Sequence, residues 1–150
     1  NDDPETYRVV RKVVEKATEE GLWGEGDWWN GKNPLYIRSA DTGARSPLRC
    51  DVALYNPADG GTCVYIECKV LKGENSFSHA LGQVLRYALK DGRRIEQGNS
   101  KWPDRKCGRV VKIIALDTEP KESQRHEALA IGNVKCWWPG KSLRALIESV

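Results

Sequence analysis

The sequence contains no methionine, no Cys-X-X-Cys pair and no long run of apolar residues. A helix that crosses a bilayer needs about 20 consecutive apolar residues, so we expect no membrane-spanning helix and no membrane partner. Nothing in the chain resembles a secretion signal. Because methionine is absent and the chain begins with Asn1, we expect a domain excised from a longer parent polypeptide.

Cysteine is present without the spacing of a metal site. The five cysteines stand at positions 50, 63, 68, 107 and 136. An odd number without paired spacing favours reduced core thiols over disulfides or a zinc or iron–sulfur site. Since reduced thiols are typical of the cytoplasm, we expect an intracellular protein.

The 150 residues have the size of a single domain with a real core. The net charge of +3 does not by itself indicate nucleic acid, but its distribution is uneven. From Arg86 to Lys112, nine basic residues stand against three acidic ones. This basic segment is either a solvated loop with scattered charges or a surface that follows a phosphate backbone. The candidate phosphate contacts are Arg86, Arg93, Arg94, Lys101, Arg105 and Lys106.

Hydrophobic periodicity and turn residues predict an α-β-β-β-α-β-α-β-α order. A mixed sheet flanked by helices fits that order best. Helices are predicted over residues 3–20, 76–90, 119–130 and 141–150, and strands over 35–39, 109–117 and 132–137, beside a hairpin over 50–70. Residues 91–108 show no clear periodicity and are predicted to be a loop.

The hairpin is predicted from two β-rich runs that flank the turn formers at residues 56–62. If Val52 faces Ile66, one side of the hairpin is apolar, and Asp51 lies opposite Glu67 on the other side. Lys69 follows two positions along the same strand. A shift of one residue would pair apolar with polar positions, so the pattern selects this register.

The next helix has a polar edge beside its apolar stripe. Ser76, His79, Gln83 and Tyr87 recur at spacings of three and four residues, which brings them to one side of a helix. Because the helix follows Lys69 after a short link, this edge could lie over the charged cluster. The plainer alternative is a row of boundary residues with satisfied hydrogen bonds.

Asp51, the Glu67-Cys68-Lys69 triplet and the Gln83…Tyr87 spacing together resemble the PD-(D/E)XK nuclease superfamily, in its branch with a Q-x-x-x-Y helix. The resemblance spans about residues 5–117 and implies an α/β fold with a restriction-endonuclease-like αβββαβ core. It departs from the common pattern at Cys50, where proline often precedes the aspartate. The alternative for the charged residues is a surface ion-pair cluster of little energetic value.

The resemblance implies an Mg²⁺-dependent (endo)nuclease, with Mn²⁺ as a substitute, that hydrolyses phosphodiester bonds, and DNA is expected as its substrate rather than RNA. Asp51, Glu67 and the backbone carbonyl of Cys68 would hold the metal. Lys69 would orient the attacking nucleophile or stabilise the charge that develops on the phosphate oxygens. The remaining implied site residues are Gln83 and Tyr87, which would position the scissile backbone, His79 as a weaker candidate, and Glu5, which would bind through a water. Glu20 is the alternative to Glu5.

Other interpretations stay open. The domain could be a C-terminal toxin-type nuclease that acts on tRNA or DNA, with an immunity protein as partner. It could also be an inactive nuclease-like module that binds nucleic acid, or a structural domain unrelated to nucleases. Superfamily members often dimerise to cut both strands, so a homodimer is a further expectation. Of the tryptophans, Trp137 and Trp138 end a buried strand and are expected in the core, whereas Trp28 and Trp29 fit a DNA wedge, a protein contact or core capping equally well.

Overall fold

A computed structural model of the chain describes residues 4–23, 51–96 and 108–149. Within these ranges, the chain forms four α-helices and four strands. The elements are α1 (Pro4–Glu19), β1 (Val52–Asn56), β2 (Thr62–Lys69), α2 (Glu74–Glu96), β3 (Arg109–Leu116), α3 (Glu122–Gly132), β4 (Val134–Trp137) and α4 (Leu143–Glu148). None of the described helices combines the length and the apolar character that a bilayer crossing requires.

The strands form one mixed sheet in the order β1-β2-β3-β4. β1 pairs antiparallel with β2, whereas β2 and β3, and then β3 and β4, pair in parallel. The predicted α/β class, with a mixed sheet flanked by helices, is therefore confirmed. The strand predicted at residues 35–39 lies outside the described residues.

The hairpin has the register that its alternation predicts. Val52 pairs with Ile66, and Leu54 pairs with Val64. The turn between the strands contains a 3-10 turn, Ala58–Gly60, in which Asp59 has φ 52° and Gly60 has φ 86°. Aspartate tolerates this left-handed region and glycine adopts it without strain, which explains why the Asp-Gly-Gly sequence can close the hairpin.

The two faces of the sheet carry two separate cores. On the α1 face, Val52, Val64 and Ile66 pack with the apolar stripe of α1 and with Leu143 and Ile147 of α4. On the α2 face, apolar residues of the same strands pack with α2 and with Ala128 of α3; the strand residues are Tyr55, Cys63, Tyr65, Ile114, Leu116, Val134 and Cys136. Because successive strand residues point to opposite faces, Asp51, Glu67 and Lys69 belong to the α2 face.

Helix α2 is longer than predicted and continues to Glu96, so the prediction of a loop is wrong for residues 91–96. The segment lacks the apolar periodicity from which helices are predicted. It contains no proline, and the helix-forming Arg93, Arg94 and Glu96 offset the cost of Gly92, about 1 kcal/mol. Residues 97–107 lie outside the described part.

The expectation of reduced cysteines is confirmed only in part. Cys68 and Cys136 are buried thiols that form no disulfide, but Cys63 is disulfide-bonded, so the expectation is wrong for that residue. Cys68 points to the α1 face and Cys63 to the α2 face, a separation that follows from strand alternation. Cys50 and Cys107 lie outside the described ranges.

Glu20, at the end of α1, caps the start of α4. Its Oε1 accepts hydrogen bonds from the backbone N–H groups of Leu143 (2.7 Å) and Arg144 (2.9 Å), and its Oε2 accepts one from Ser142 Oγ. The Arg144 guanidinium donates in return to the Glu20 carbonyl, at 2.8 Å. These donors hold Glu20 on the α1 face of the fold and give it a structural role.

The same contacts set the pKa of Glu20. Burial alone would raise the pKa, but the hydrogen bonds from Ser142, Arg144 and Leu143, aided by the charge of Lys16, outweigh burial and lower it from the ordinary 4.5. A carboxylate with a lowered folded-state pKa stabilises the fold fully above its unfolded value. That stabilisation is lost as the pH falls below 4.5 through the folded value.

We therefore expect Glu20→Gln to lower the free energy of unfolding by about 1 kcal/mol at about pH 7, the usual cost of a lost helix cap. The difference from the wild type should shrink on acidification below 4.5, because protonation removes the wild-type advantage. Denaturant unfolding at several pH values measures both. Glu19→Gln is the matched control, since Glu19 is 70% exposed and makes only a 3.7 Å pair with Lys16. An equal loss in both variants would contradict the assignment.

Candidate functional site

Two carboxylates are buried in the sheet. Asp51 is 8% exposed and Glu67 is 5% exposed, and they are the two charged residues that are buried in the described part of the chain. Charged side chains are seldom buried unless they are paired or bind a metal. This pair therefore marks the place where the fold accepts an energetic cost, which is typical of a functional site.

The hairpin register brings the two carboxylates together. Val52 pairs with Ile66, so the next position outward sets Asp51 opposite Glu67. The backbone N–H of Cys68 donates a hydrogen bond to Asp51 Oδ2 at 2.9 Å. A carboxylate that accepts from a backbone amide is held in place by a charge-assisted bond. The carboxylate of Asp51 therefore extends beyond the end of β1 to the backbone of β2.

The Cys68 carbonyl faces the same side as Asp51. In an antiparallel ladder, the N–H and C=O of one residue point to the same neighbouring strand, and the Cys68 N–H points to Asp51. The Cys68 side chain lies in the core of the α1 face and does not enter the site. Asp51, Glu67 and the Cys68 carbonyl therefore occupy neighbouring positions on adjacent strands.

These groups lie at what we call the carboxyl rim. This is the end of the sheet at which the parallel strands β2, β3 and β4 terminate and the antiparallel β1 begins. Lys69, the last residue of β2, is half-buried and belongs to the same face as Glu67. Sheets with parallel strands commonly bind ligands outside this edge. Asp51, Glu67 and Lys69 are therefore gathered where an α/β fold usually places its site.

Helix α2 packs over β2 and β3 on the face that carries these charges. Gln83 is half-buried, and its Oε1 is a buried atom that meets no hydrogen-bond donor among the described residues. Tyr87, one turn further on, packs against the core of the α2 face. An amide oxygen buried in this way costs about 1–3 kcal/mol, which a bound ligand could offset.

The other two residues of the predicted polar edge have different surroundings. Ser76 Oγ donates to the Gly73 carbonyl at 2.8 Å and accepts from the Lys72 N–H at 3.3 Å, so it shapes the start of α2. His79 is exposed. The edge thus contains one residue with a structural role, one exposed residue, and the half-buried Gln83 and Tyr87.

Unlike the two carboxylates, Glu5 is not buried, and it forms an ion pair. Its Oε2 lies 2.9 Å from Lys72 Nζ, and both side chains are about half exposed, at 43% and 55%. In the ranges that the structure describes, no cluster of three or more His, Cys, Asp or Glu residues is suited to a metal ion. Magnesium commonly takes only one or two carboxylates and keeps several waters. The carboxylate oxygens of Asp51 and Glu67 therefore fit such an ion without a third acidic side chain.

Only some of the predicted phosphate-contacting residues lie in the ranges that the structure describes. Arg86 is exposed on α2, and positions 93 and 94 continue the same helix. Helical spacing of three and four residues places positions 86, 90 and 93 on one side of α2. Lys101, Arg105 and Lys106 lie outside the described residues and stay predictions.

Sequence reasoning missed Asp117, which follows β3 at the carboxyl rim. Its Oδ1 accepts a hydrogen bond from the Leu71 N–H at 3.0 Å. This bond ties the link between Lys69 and α2 to the neighbouring strand. The only sequence signal was an aspartate directly after an apolar strand, and the pattern does not reveal its partner 46 residues away.

Comparison of the chain with models of protein families, with curated protein sequences and with solved structures finds no match. The resemblance to PD-(D/E)XK nucleases therefore depends on the motif residues and the predicted order of elements in the sequence.

Gln83→Leu tests whether the buried amide serves the site or the fold. Because leucine removes a buried oxygen with no donor, we expect the free energy of unfolding to stay level or to rise by about 1 kcal/mol. Gln124→Leu is the matched control, since Gln124 Oε1 accepts from the Lys121 N–H at 2.9 Å. The control should lose about 1 kcal/mol. If both variants lose the same amount in denaturant unfolding, Gln83 has a structural partner and is not a site residue.

Proposed function

We propose that this protein is a divalent-metal-dependent nuclease that hydrolyses phosphodiester bonds, with DNA rather than RNA as its expected substrate. The observation that carries the proposal is the pair of buried carboxylates, Asp51 and Glu67, with Lys69 on the same face at the carboxyl rim. Buried acidic groups beside a lysine suit phosphate chemistry because they can hold a cation while the lysine meets the anionic substrate.

The proposed metal is Mg²⁺, with Mn²⁺ as a substitute. Asp51 and Glu67 would hold it together with the Cys68 carbonyl, since hard cations prefer oxygen ligands. When bound, such a cation lowers the pKa of a coordinated water and neutralises charge on the phosphate. Glu5 could take part only through a water, and its ion pair with Lys72 would then be exchanged for that contact.

The residues of the chain have separate roles in this proposal. The Cys68 N–H fixes one oxygen of Asp51 and so orients the carboxylate before any ligand arrives. The Lys69 ammonium stabilises the negative charge that develops on the phosphate oxygens during attack. The Gln83 amide, without a donor to its oxygen in the described part, would bind the substrate backbone or a water. Tyr87 would set the position of that amide along α2.

The decisive prediction is Mg²⁺-dependent cleavage that depends on the buried pair. We expect Asp51→Asn, Glu67→Gln and Lys69→Met each to lower the cleavage rate by at least about 100-fold, since each removes a charge that acts on the reacting phosphate. Linear, circular and single-stranded DNA and an RNA should be compared side by side. Calorimetry with Mg²⁺ or Mn²⁺ should show weakened metal binding in the first two variants only.

Asp59→Asn is the matched control for these variants. Asp59 is exposed in the turn of the same hairpin, and asparagine tolerates its φ of 52°. This variant should cleave like the wild type. Full activity in folded Glu67→Gln would overturn the proposal, whereas metal binding without cleavage on any substrate would point to an inactive nucleic-acid-binding module.

The basic segment yields a prediction about salt. If it follows a phosphate backbone, the logarithm of the DNA association constant falls linearly with the logarithm of salt concentration. Neutralising Arg93, Arg94, Arg105 and Lys106 should reduce that slope by about one per lost contact. Filter binding or anisotropy with DNA of unrelated sequences measures it. An unchanged slope would assign these residues to a solvated surface.

The disulfide at Cys63 favours a second candidate, a toxin-type nuclease module of a larger protein that acts on tRNA or DNA in a target cell. Disulfides form and persist in oxidising environments, which an exported module passes through. Toxicity on expression would favour this role over a resident nuclease. Because both roles use the same site, relief of the toxicity by Glu67→Gln would assign it to that site.

A further inference from the structure

A tryptophan with two cations stands at the carboxyl rim beside β4. Trp137 is buried at 2% exposure, as predicted, but Trp138 is only half-buried and lies outside the strand. The Lys141 ammonium lies 4.2 Å from the centroid of the Trp138 ring, and the Arg125 guanidinium carbon lies 5.4 Å from it. Cations at these distances are attracted to the face of an indole ring.

A tight turn holds Lys141 in this position. The Lys141 N–H donates to the Trp138 carbonyl at 3.2 Å across Pro139 and Gly140, and Gly140 has φ 101°. Proline followed by a glycine with positive φ is typical of a type II turn. The indole N–H of Trp137 donates in addition to the Lys141 carbonyl at 3.0 Å. The ring and its lysine are therefore preorganised by the backbone.

Trp138 and Lys141 line a pocket of about 290 Å³ that runs along β4 between α3 and α4. Among the described residues, its lining includes three cationic side chains, Arg125, Lys135 and Lys141, and no carboxylate, while Leu129 and Leu146 form its apolar wall. Burial raises the pKa of the Cys136 thiol to about 11, so this lining residue adds no negative charge at neutral pH. The pocket is therefore positive and partly apolar.

The three cationic side chains differ in the hydrogen-bond acceptors that they already contact. Lys135 Nζ donates to the Ser149 carbonyl at 2.6 Å and to the Leu146 carbonyl at 3.0 Å, and so caps the end of α4. Arg125 donates to Glu119 Oε2 at 3.0 Å. In the part of the chain that the structure describes, Lys141 Nζ contacts the Trp138 ring and no hydrogen-bond acceptor. Lys141 can therefore bind an anion at the lowest cost.

The pocket and the buried carboxylates share one rim. Lys69 pairs with Leu116, and Ala115 pairs with Trp137, so the next step along β3 and β4 sets Trp138 level with Leu116. Lys69 and Trp138 thus stand in one row, two strands apart, at a separation of about 10 Å. Both belong to the α2 face. A flexible polynucleotide strand of a few nucleotides can bridge such a distance.

We infer that this pocket is a second nucleic-acid subsite, in which Trp138 contacts a base and Lys141, supported by Arg125, binds the adjoining phosphate. The assignment of the ligand to a polynucleotide strand rests on the proposed function. Stacking on an aromatic ring and a phosphate contact from a neighbouring cation are the two elements of sequence-independent single-strand binding. The subsite would hold the strand beside the buried carboxylates and would not take part in bond cleavage.

An acidic peptide is the competing occupant. β4 is an edge strand of the described sheet, and a peptide could add to it as a further strand. β4 has only four residues, Val134–Trp137, which limits the backbone bonds that an added strand could form. The preorganised pair of Trp138 and Lys141 lies beyond that strand. The observations therefore favour the nucleotide.

The experiment measures binding without metal, so that no substrate is cut. Fluorescein-labelled oligothymidylate of about ten nucleotides is titrated by anisotropy in EDTA, with oligoglutamate of equal length as the peptide probe. We expect Trp138→Leu and Lys141→Gln each to weaken oligothymidylate binding by about 5-fold to 100-fold, as for a lost stacking or phosphate contact. Trp138→Phe should restore most of the binding, and Lys141→Gln should reduce the salt slope by about one.

Lys12→Gln is the matched control, because Lys12 is an exposed lysine on α1, which packs on the other face of the sheet. It should bind like the wild type apart from a small uniform salt effect. Lys141→Gln removes only an ammonium with no hydrogen-bond acceptor in the described part, so the test survives if Trp138→Leu fails to fold. In cleavage assays the subsite variants should raise KM and leave kcat within about twofold.

The outcomes separate this inference from the proposed function. Cleavage by the wild type together with unchanged binding and KM in both variants overturns the subsite and leaves the nuclease intact. If the wild type binds oligothymidylate but cleaves no substrate, and both variants lose that binding, the subsite is supported and the proposed nuclease function is wrong. Tighter binding of oligoglutamate than of oligothymidylate, or no nucleic-acid binding at all, overturns the subsite.

Discussion

The register of the β1–β2 hairpin is the constraint on which the rest of the structure depends. Pairing Val52 with Ile66 gives the α1 face its apolar residues and leaves Asp51 and Glu67 on the α2 face. A slip of one residue would turn the side chains of one strand to the opposite face, place its charged residue under α1 and move its apolar residues into the differently packed core of the α2 face. The cost of such a slip is spread over every strand residue. The same pairing that builds the core therefore also gathers the carboxylates.

Much of this arrangement could be predicted because it is periodic. Alternation with period two determined the register of β1 and β2. Hydrophobic periodicity located α1, in which Val9, Val10, Val13 and Ala17 are buried. The pattern also predicted a strand over residues 109–117, and β3 forms there and is buried over most of its length. These signals are local, and local propensity and burial agree in them.

The features that escaped prediction depend on partners distant in sequence or on segments without apolar pattern. Glu20 could not be assigned to α4 because its donors are more than 120 positions away. The last turns of α2 contain charges without an apolar stripe. Trp138 is less buried than Trp137 because it lies beyond the end of β4 and belongs to the opposite face. Cys63 was misjudged because cysteine spacing along a chain does not reveal proximity in space.

The hydrogen bonds between Glu20 and Arg144, which are separated by 124 positions, affect the order of folding. Loop closure over so long a stretch is slow and is entropically costly before other contacts shorten it. During synthesis, α1 leaves the ribosome early but can meet α4 only after nearly the whole domain has emerged. The sheet can therefore assemble on α1 before α4 docks, which makes the capping of α4 a late step that closes the α1 face.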